Sequence, residues 1–445
     1  MKRCLRIRVI MGKDRISELP EELLLKILSL LPTKTVITTS VLSKRWRSLW
    51  KMVQKLKFES DNLAKFSKNV GKFLLSHKAP VLESLHIKVT DKAEKRCGIN
   101  VGVWLGIAVV RHVRELVLNL SLKNSVRFPS SVFFCDTLER LKLKYSIIVD
   151  VPSPVCMKSL RTLHLHAVGF KDNESIRNLI SGCPNLEDLA IHRARGSRNR
   201  KVVLTLVIAA PYLKRLSIDG KIGGLTDGGY VINAPSLEYL NIRGIYNCGS
   251  CLIENAPMLV EANIRNVSKI VNEKILGSLK SAKRLSLDLS PLEIKCPTGA
   301  IFYQLVYLEL CTHKAKWWNL LTIMLDSSPK LQVLKLIGKN QDASKDDVVS
   351  GKWNEPKYVP ECLLSHLETF VWIRYDCERE EEKDVAAYIM KNARLLNKAT
   401  FSTRPIESKE LHKLEKRRKI LNELTIVKAS SNSCRLICDG ESIVI

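Results

Sequence analysis

Two histidines, His164 and His166, alternate along Leu160-Arg161-Thr162-Leu163-His164-Leu165-His166 and so share one face of an extended strand. Such a pair can begin a metal site, but no third ligand stands at a matching spacing, and surface histidines are the better reading. Cys248 and Cys251 form a CxxC with no second cysteine pair and no nearby histidine pair, so zinc or thiol redox chemistry is the minority reading. The glycine-rich run Gly220 to Gly229 follows a strand but lacks the Gly-Lys-Ser/Thr ending of a phosphate loop, and reads as a connecting loop. GxSxG, HExxH and paired metal-ligand spacings are absent. The chain is therefore expected to be non-catalytic, with no cofactor and no metal.

What remains is charge at regular intervals. Arg140, Lys142, His164, His166, Arg215, Tyr239, Arg243, Arg265 and Arg284 all fall at alternate positions of short strand-like runs, together with Lys144, Asp188, Glu261 and others. Alternate residues of a strand share a face, so stacked strands would line these side chains up on one polar, cation-rich surface. Arginines so placed suit an acidic or phosphorylated protein segment, which they would hold by charge-assisted hydrogen bonds. The competing reading is a solvated face with no ligand.

The elements that would position this row repeat along the chain. L-x-x-L-x-L recurs, with departures, as LESLHI at Leu82, VRELVL at Val113, LERLKL at Leu138, LRTLHL at Leu160, LEDLAI at Leu186 and LKRLSI at Leu213. It continues as LEYLNI at Leu237, LVEANI at Leu259, AKRLSL at Ala282, LVYLEL at Leu305 and LQVLKL at Leu331. From Val113 onward the starts differ by 25, 22, 26, 27, 24, 22, 23, 23 and 26 residues, the period of leucine-rich repeats. Each unit supplies one strand whose leucines point inward and need the neighbouring units to bury them.

Ahead of the repeats, Asp14 to Trp50 reads as three short helices. Pro20 suits a first helical position and Glu21 and Glu22 the positive end of the helix dipole. Leu24, Ile27, Leu28 and Leu31 form one apolar stripe. Pro32 stops that helix, Thr33 is placed to cap the next, and Ser43 to cap a third carrying Trp46, Leu49 and Trp50. So small a unit has too little interior for all these apolar side chains, so some should face a partner. The alternative is a helical hairpin whose stripe is simply its core.

Leu19-Pro20, Ile27-Leu28-Ser29, Leu31-Pro32-Thr33-Lys34 and the run Thr39 to Trp46, TSVLSKRW, resemble the F-box of plant proteins. The resemblance implies docking on a Skp-type adaptor and, through it, on a cullin-based ubiquitin ligase. The implied adaptor contacts are Leu19, Pro20, Leu24, Ile27, Leu28, Leu31, Pro32, Val36 and Leu42. The fragments SGCPNLEDL, NAPSLEYL and ENAPMLVEA resemble the degenerate repeats of plant F-box proteins, and VPECLL from Val359 with Leu367-Glu368 resembles the FBD domain that follows them.

The expected fold is α/β: a three-helix F-box, a curved leucine-rich-repeat solenoid with a parallel sheet on its concave face, and an α+β FBD domain as a cap. The expected boundaries are 1–13 for an N-terminal extension, 14–60 for the F-box with a basic connector after Trp50, and 61–81 for a linker helix. Repeats follow over 82–340, a loop over 341–352 and the FBD domain over 353–445. Within the last, a charged segment runs from Glu378 to Asp384, a helix from Val385 to Leu396, a strand from Lys398 and a basic helical run over Lys409 to Lys419.

Net charge is +27 over 445 residues. No stretch interleaves basic with aromatic residues as a single-strand platform requires, so the charge reads as a diffuse surface suited to acidic protein rather than nucleic acid. The 13 cysteines are odd in number and irregular in spacing, as in reduced thiols of the cytoplasm or nucleus. No secretory signal or membrane-length apolar run is found, and Met11 reads as the natural start or an alternative one. The chain is thus expected to join a ligase to an unknown target protein. A nucleic-acid-binding repeat protein, or a scaffold outside ubiquitin ligases, is the alternative.

Overall fold

The structure is a computed structural model and describes residues 16, 18–91, 101–193, 205–220, 229–244, 250–267, 275–289, 299, 301–312, 316–338, 353–375, 380–402, 415, 435–438 and 441–444. Met11, the loop 221–228, Cys248 and all of the expected basic helical run Lys409 to Lys419 except Glu415 lie outside the described residues. The chain folds as two compact units, Met1–Thr162 with Val168–Ser175, and Leu163–Ala167 with Ile176–Ile445.

The first unit begins with helices Glu21–Ser29, Thr33–Thr38 and Trp46–Leu49. Pro20 and Pro32 stand just before the first two, and the N–H groups of Leu24 and Val36 donate to their carbonyls. Thr33 therefore does not cap its helix. Its buried hydroxyl instead accepts the Lys57 N–H at 2.7 Å. Ser43 is no cap either: its hydroxyl has no hydrogen-bond partner among the described residues, and the third helix starts three residues later, at Trp46.

The expected basic connector contains a strand, Lys55–Ser60, which pairs in parallel with Ser84–Asp91. Glu115–Leu122 and Arg140–Tyr145 follow in the same direction. Helices Leu63–Ser76 and Val101–Val110 provide the crossovers that parallel pairing requires. The run Val53-Gln54-Lys55-Leu56-Lys57-Phe58 is thus a degenerate repeat, and the three-helix unit leads directly into the ladder.

In the second unit, strands Asp188–Arg193, Arg215–Gly220, Tyr239–Arg243, Glu261–Val267, Arg284–Leu289, Tyr307–Cys311 and Val333–Ile337 pair in parallel. The segment expected to open a new module continues this ladder, with Thr369–Ile373 and Lys398–Ser402 also parallel. Only the final pair, Arg435–Cys438 with Glu441–Val444, is antiparallel. Helices Glu361–Ser365 and Glu380–Asn392 intervene. The second starts earlier than the expected Val385, because Glu380, Glu381 and Glu382 favour its positive N-terminal end.

One backbone detail repeats through the ladder. Along most of the ladder the carbonyl of the residue after the first leucine accepts two N–H groups from the next repeat. Arg215 and Lys214 donate to Glu187, Tyr239 and Glu238 to Lys214, and Lys398 and Asn397 to Glu368, at 2.8–3.1 Å. The inward rows behind it are dry. Leu189, Leu216, Leu240, Ala262, Leu285, Leu308, Leu334, Phe370 and Ala399 are all fully buried, neighbour against neighbour in register. Toward the end aromatics replace leucine: Phe370 and Phe401 lie 5.5 Å apart edge to face, and Trp372 lies 4.8 Å from Tyr375.

Within the first unit, His77 ties the end of the three-helix unit to the ladder. One ring nitrogen lies 2.8 Å from the Val53 carbonyl and the other 2.7 Å from the Arg111 guanidinium. Arg111 can only donate, so Nδ1 accepts, Nε2–H donates, and the ring is neutral. Burial, with the Arg111 charge adding, pushes its pKa down to about 4, although the bond to Val53 opposes the shift. An unfolded histidine takes a proton near pH 6.5, so the unfolded state gains protons first as pH falls. Stability should therefore fall between about pH 6.5 and about pH 4, by about 1–3 kcal/mol from this group. Chemical denaturation at pH 7 and pH 4.5 checks it: the loss on acidification should be smaller by that amount in His77→Gln.

Candidate partner-binding surfaces

The three-helix unit closes its core with Leu24, Leu28, Val36, Trp46, Leu49 and Val53, against which Leu19, Leu25, Leu31 and Trp50 pack half-buried. The single apolar stripe expected on the first helix therefore divides. Leu24 and Leu28 point inward and are fully buried, as is Val36 on the second helix, so these three of the expected adaptor contacts are core residues. Ile27 turns outward with Leu23 and Leu30, which share its side of the helix at i, i+4, i+7 spacing. Leu30 is 84% exposed, Val41 85% and Leu42 63%, and Ile37 and Met52 are also exposed. Pro20 and Pro32 lie at the surface. The unit thus fills its interior and still presents a second set of large apolar side chains to water.

The outward faces of the strands carry the expected polar row, but most of its cations are already engaged. In the second unit, the Arg215 guanidinium lies 4.5 Å over the Tyr239 ring, and that of Arg284 lies 4.1 Å over Tyr307 with Glu261 at 3.8 Å. His164 contacts Asp188 at 3.2 Å, His192 contacts Asp219 at 3.7 Å, and the rings of His166 and His192 lie 5.3 Å apart. Arg243 bonds the Asn241 side chain at 3.1 Å and has no carboxylate within reach among the described residues.

Glu309 is the anchor of this face. Its buried carboxylate accepts hydrogen bonds from Arg265, from Ser286 at 2.7 Å and from Tyr307 at 3.2 Å, and pairs with Lys335 at 2.9 Å. Burial alone would raise its pKa. Lys335, Ser286 and Arg265 outweigh burial and hold it below the usual glutamate range. Arg265, expected to await a target, is committed to Glu309 and Ser286. In the first unit, Arg140 pairs with Glu115 at 3.4 Å, whereas Lys142 and Lys144 have no carboxylate partner among the described residues.

Comparison with known proteins shows the family. An F-box domain model matches residues 16–58, an FBD model residues 355–401, and a model described as FBD-associated F-box protein At5g56370, LRR repeats, residues 101–261. F-box/FBD/LRR-repeat protein At3g52680 of Arabidopsis thaliana is 57% identical over 97% of this chain and 95% of its own. The chain belongs to the F-box/FBD/LRR-repeat family. From the same organism, F-box/FBD/LRR-repeat protein At4g00160 is 55% identical over 97% of this chain and 96% of its own, and F-box/FBD/LRR-repeat protein At3g51530 is 59% identical over 97% and 94%. The names of this family point to adaptor proteins. No helix among the described residues is long and apolar enough to cross a membrane, and no three metal-ligating side chains converge among them.

Sequence reasoning missed Leu23, Leu30, Ile37 and Val41 on the F-box surface and Glu309 on the sheet face. Register could have found Glu309, since it holds the same position in its repeat as Ser286 in the one before. The division of the F-box helix yields a paired expectation. Leu24→Ala should cost about 2–5 kcal/mol of stability by opening the core, whereas Leu30→Ala should stay within about 0.5 kcal/mol. Denaturant midpoints of the two variants decide it.

Proposed function

We propose that this chain is the substrate-recognition subunit of a Skp–cullin–F-box ubiquitin ligase. The observation that carries the reading is the exposed apolar set Leu23, Ile27, Leu30, Ile37, Val41 and Leu42 on a three-helix unit whose core is already complete. Full burial of a side chain as exposed as Leu30 or Val41 would supply about 1.5–3 kcal/mol, and of the half-exposed ones less, and an exposed apolar cluster of this kind marks a protein interface. A Skp-type adaptor covers it, with Leu19, Pro20 and Pro32 at its margin. The outward face of the repeat and FBD strands holds the target protein.

In this reading the chain has no chemistry of its own. The ligase supplies the reacting groups, and this subunit supplies proximity and orientation, which raise the effective concentration of target lysines. Reduced cysteines, including the free Cys135, Cys183, Cys251 and Cys362, suit the cytoplasm or the nucleus.

The test is Leu30→Glu combined with Val41→Glu in the tagged full chain. Copurified Skp-type adaptor should fall at least tenfold, because two charges would be buried unpaired. The circular dichroism spectrum and denaturant midpoint should stay as in the unsubstituted chain. Adaptor recovery at the unsubstituted level would overturn the assignment.

A further inference from the structure

The outward face of the first unit differs from that of the second in one respect: its cations outnumber the groups that could neutralise them. Three rows run across strands Lys55–Ser60, Ser84–Asp91, Glu115–Leu122 and Arg140–Tyr145 in exact register. They read Lys55, Ser84, Glu115, Arg140; then Lys57, His86, Val117, Lys142; then Glu59, Lys88, Asn119, Lys144. Both carboxylates are taken. Glu59 is held by Lys57 at 3.0 Å and Lys88 at 3.7 Å, and the bond from Lys57 leads in lowering its pKa. Glu115 is shared by Arg140 at 3.4 Å and His86 at 3.6 Å. Lys142 and Lys144 are left over, and Asn119 makes no side-chain hydrogen bond among the described residues.

We infer that this face, and not the arginine row of the second unit, is where an acidic segment of the target protein binds. The inference rests on the target-holding role proposed above and specifies its location and chemistry. Four strands spaced by about 4.8 Å span about 14 Å, the length of about four residues of extended chain. Val117 lies between His86 and Lys142 in its row and offers an apolar contact flanked by positive charge. Asn119, between Lys88 and Lys144, can donate to and accept from a peptide backbone. The fitting occupant is a short extended segment with carboxylates or phosphates on either side of an aliphatic residue. His86 is the only ring in the three rows, so the face offers no stacking platform for nucleic-acid bases.

The same comparison explains why the second unit is the poorer site for acid. Recruiting Arg265 would strip Glu309 of a partner inside a buried cluster, and recruiting Arg284 would lift it from Tyr307 and Glu261. Lys142 and Lys144 have nothing to give up. Lysine is a compact point charge, so it serves a carboxylate or a phosphate without demanding two-pronged geometry.

Fluorescence anisotropy on the full chain tests the inference with a labelled decapeptide rich in Asp and Glu around a central Leu, the same peptide with two phosphoserines, and a single-stranded RNA decamer. The two peptides separate carboxylate from phosphate as the source of charge. Lys142→Glu with Lys144→Glu should weaken binding of the better peptide at least tenfold, and Lys142→Gln with Lys144→Gln should weaken it less. Arg215→Glu with Arg243→Glu should change it less than twofold. Adaptor capture and circular dichroism on the same preparations separate this question from docking and folding: the inference requires the peptide to be lost while the adaptor is retained. Peptide binding that survives both lysine variants, or falls only with the arginine pair, overturns it. RNA binding tighter than either peptide and lost with the lysines overturns it in favour of nucleic acid. Loss of the adaptor alone overturns the docking assignment and leaves the peptide result standing.

Discussion

A parallel strand cannot satisfy its own backbone, and each strand in this protein is made tolerable by the next. The recurring device is one carbonyl that accepts two N–H groups from the following repeat. A carbonyl oxygen has two lone pairs, so the arrangement saturates it and fixes the register wherever it occurs. Fixed register has consequences for side chains, because a slip of one residue would exchange the inward and outward faces. With it held, leucine meets leucine in the dry rows and each outward position meets its counterpart. Arg215 on Tyr239 and Arg284 on Tyr307 are products of this registration, since each arginine lies directly beside its tyrosine.

The period-two alternation of L-x-x-L-x-L was legible in the sequence because the physics that buries leucines is local to six residues. The outward row followed from the same alternation. What could not be read was its electrostatics. Whether Arg265 is free depends on a carboxylate two strands away, Glu309, and single-strand reasoning does not weigh such a neighbour. The ends of the ladder were also hard to see, for a related reason. Val53-x-x-Leu-x-Phe and Leu367-x-x-Phe-x-Trp obey the inward rule with aromatics in place of leucine, and the leucine pattern passes over them. Their N–H donors show them to be members of the ladder: Ser84 alone donates to Gln54, and Thr369 with Glu368 to Gln332.

In the F-box the limit was helical geometry. An apolar stripe at i, i+3, i+4, i+7 covers about 100° of the helix, and here Leu24 and Leu28 turn to the core while Ile27, at one edge of the arc, turns outward. The sequence alone does not fix the rotation of the helix about its axis. Leu24 and Leu28 are inward because Trp46 and Leu49 approach from that side, and Ile27 is left with Leu23 and Leu30. Of the stripe, Leu24 and Leu28 are core, Leu31 packs half-buried against them and Ile27 faces water.

The proposed delivery of a target to a ligase demands more than two binding surfaces, because the target would have to be presented in an orientation that persists. In the first unit this demand is met by hydrogen bonds. Thr33 accepts the Lys57 N–H on the strand Lys55–Ser60, which stands at the edge of the sheet among the described residues, and so fastens the second F-box helix to the ladder. His77 does the same from the other side, between the Val53 carbonyl and Arg111. Neither bond adds much energy alone, about 0.5–1.5 kcal/mol for a typical neutral pair, but each joins groups far apart in the chain. Rotating the F-box against the first strands would break both and leave buried polar groups unpaired, at about 1–3 kcal/mol each. The apolar stripe of the F-box and the lysines of the neighbouring strands are therefore carried on one body, and an acidic segment held by those lysines is held at a fixed distance from whatever covers the stripe.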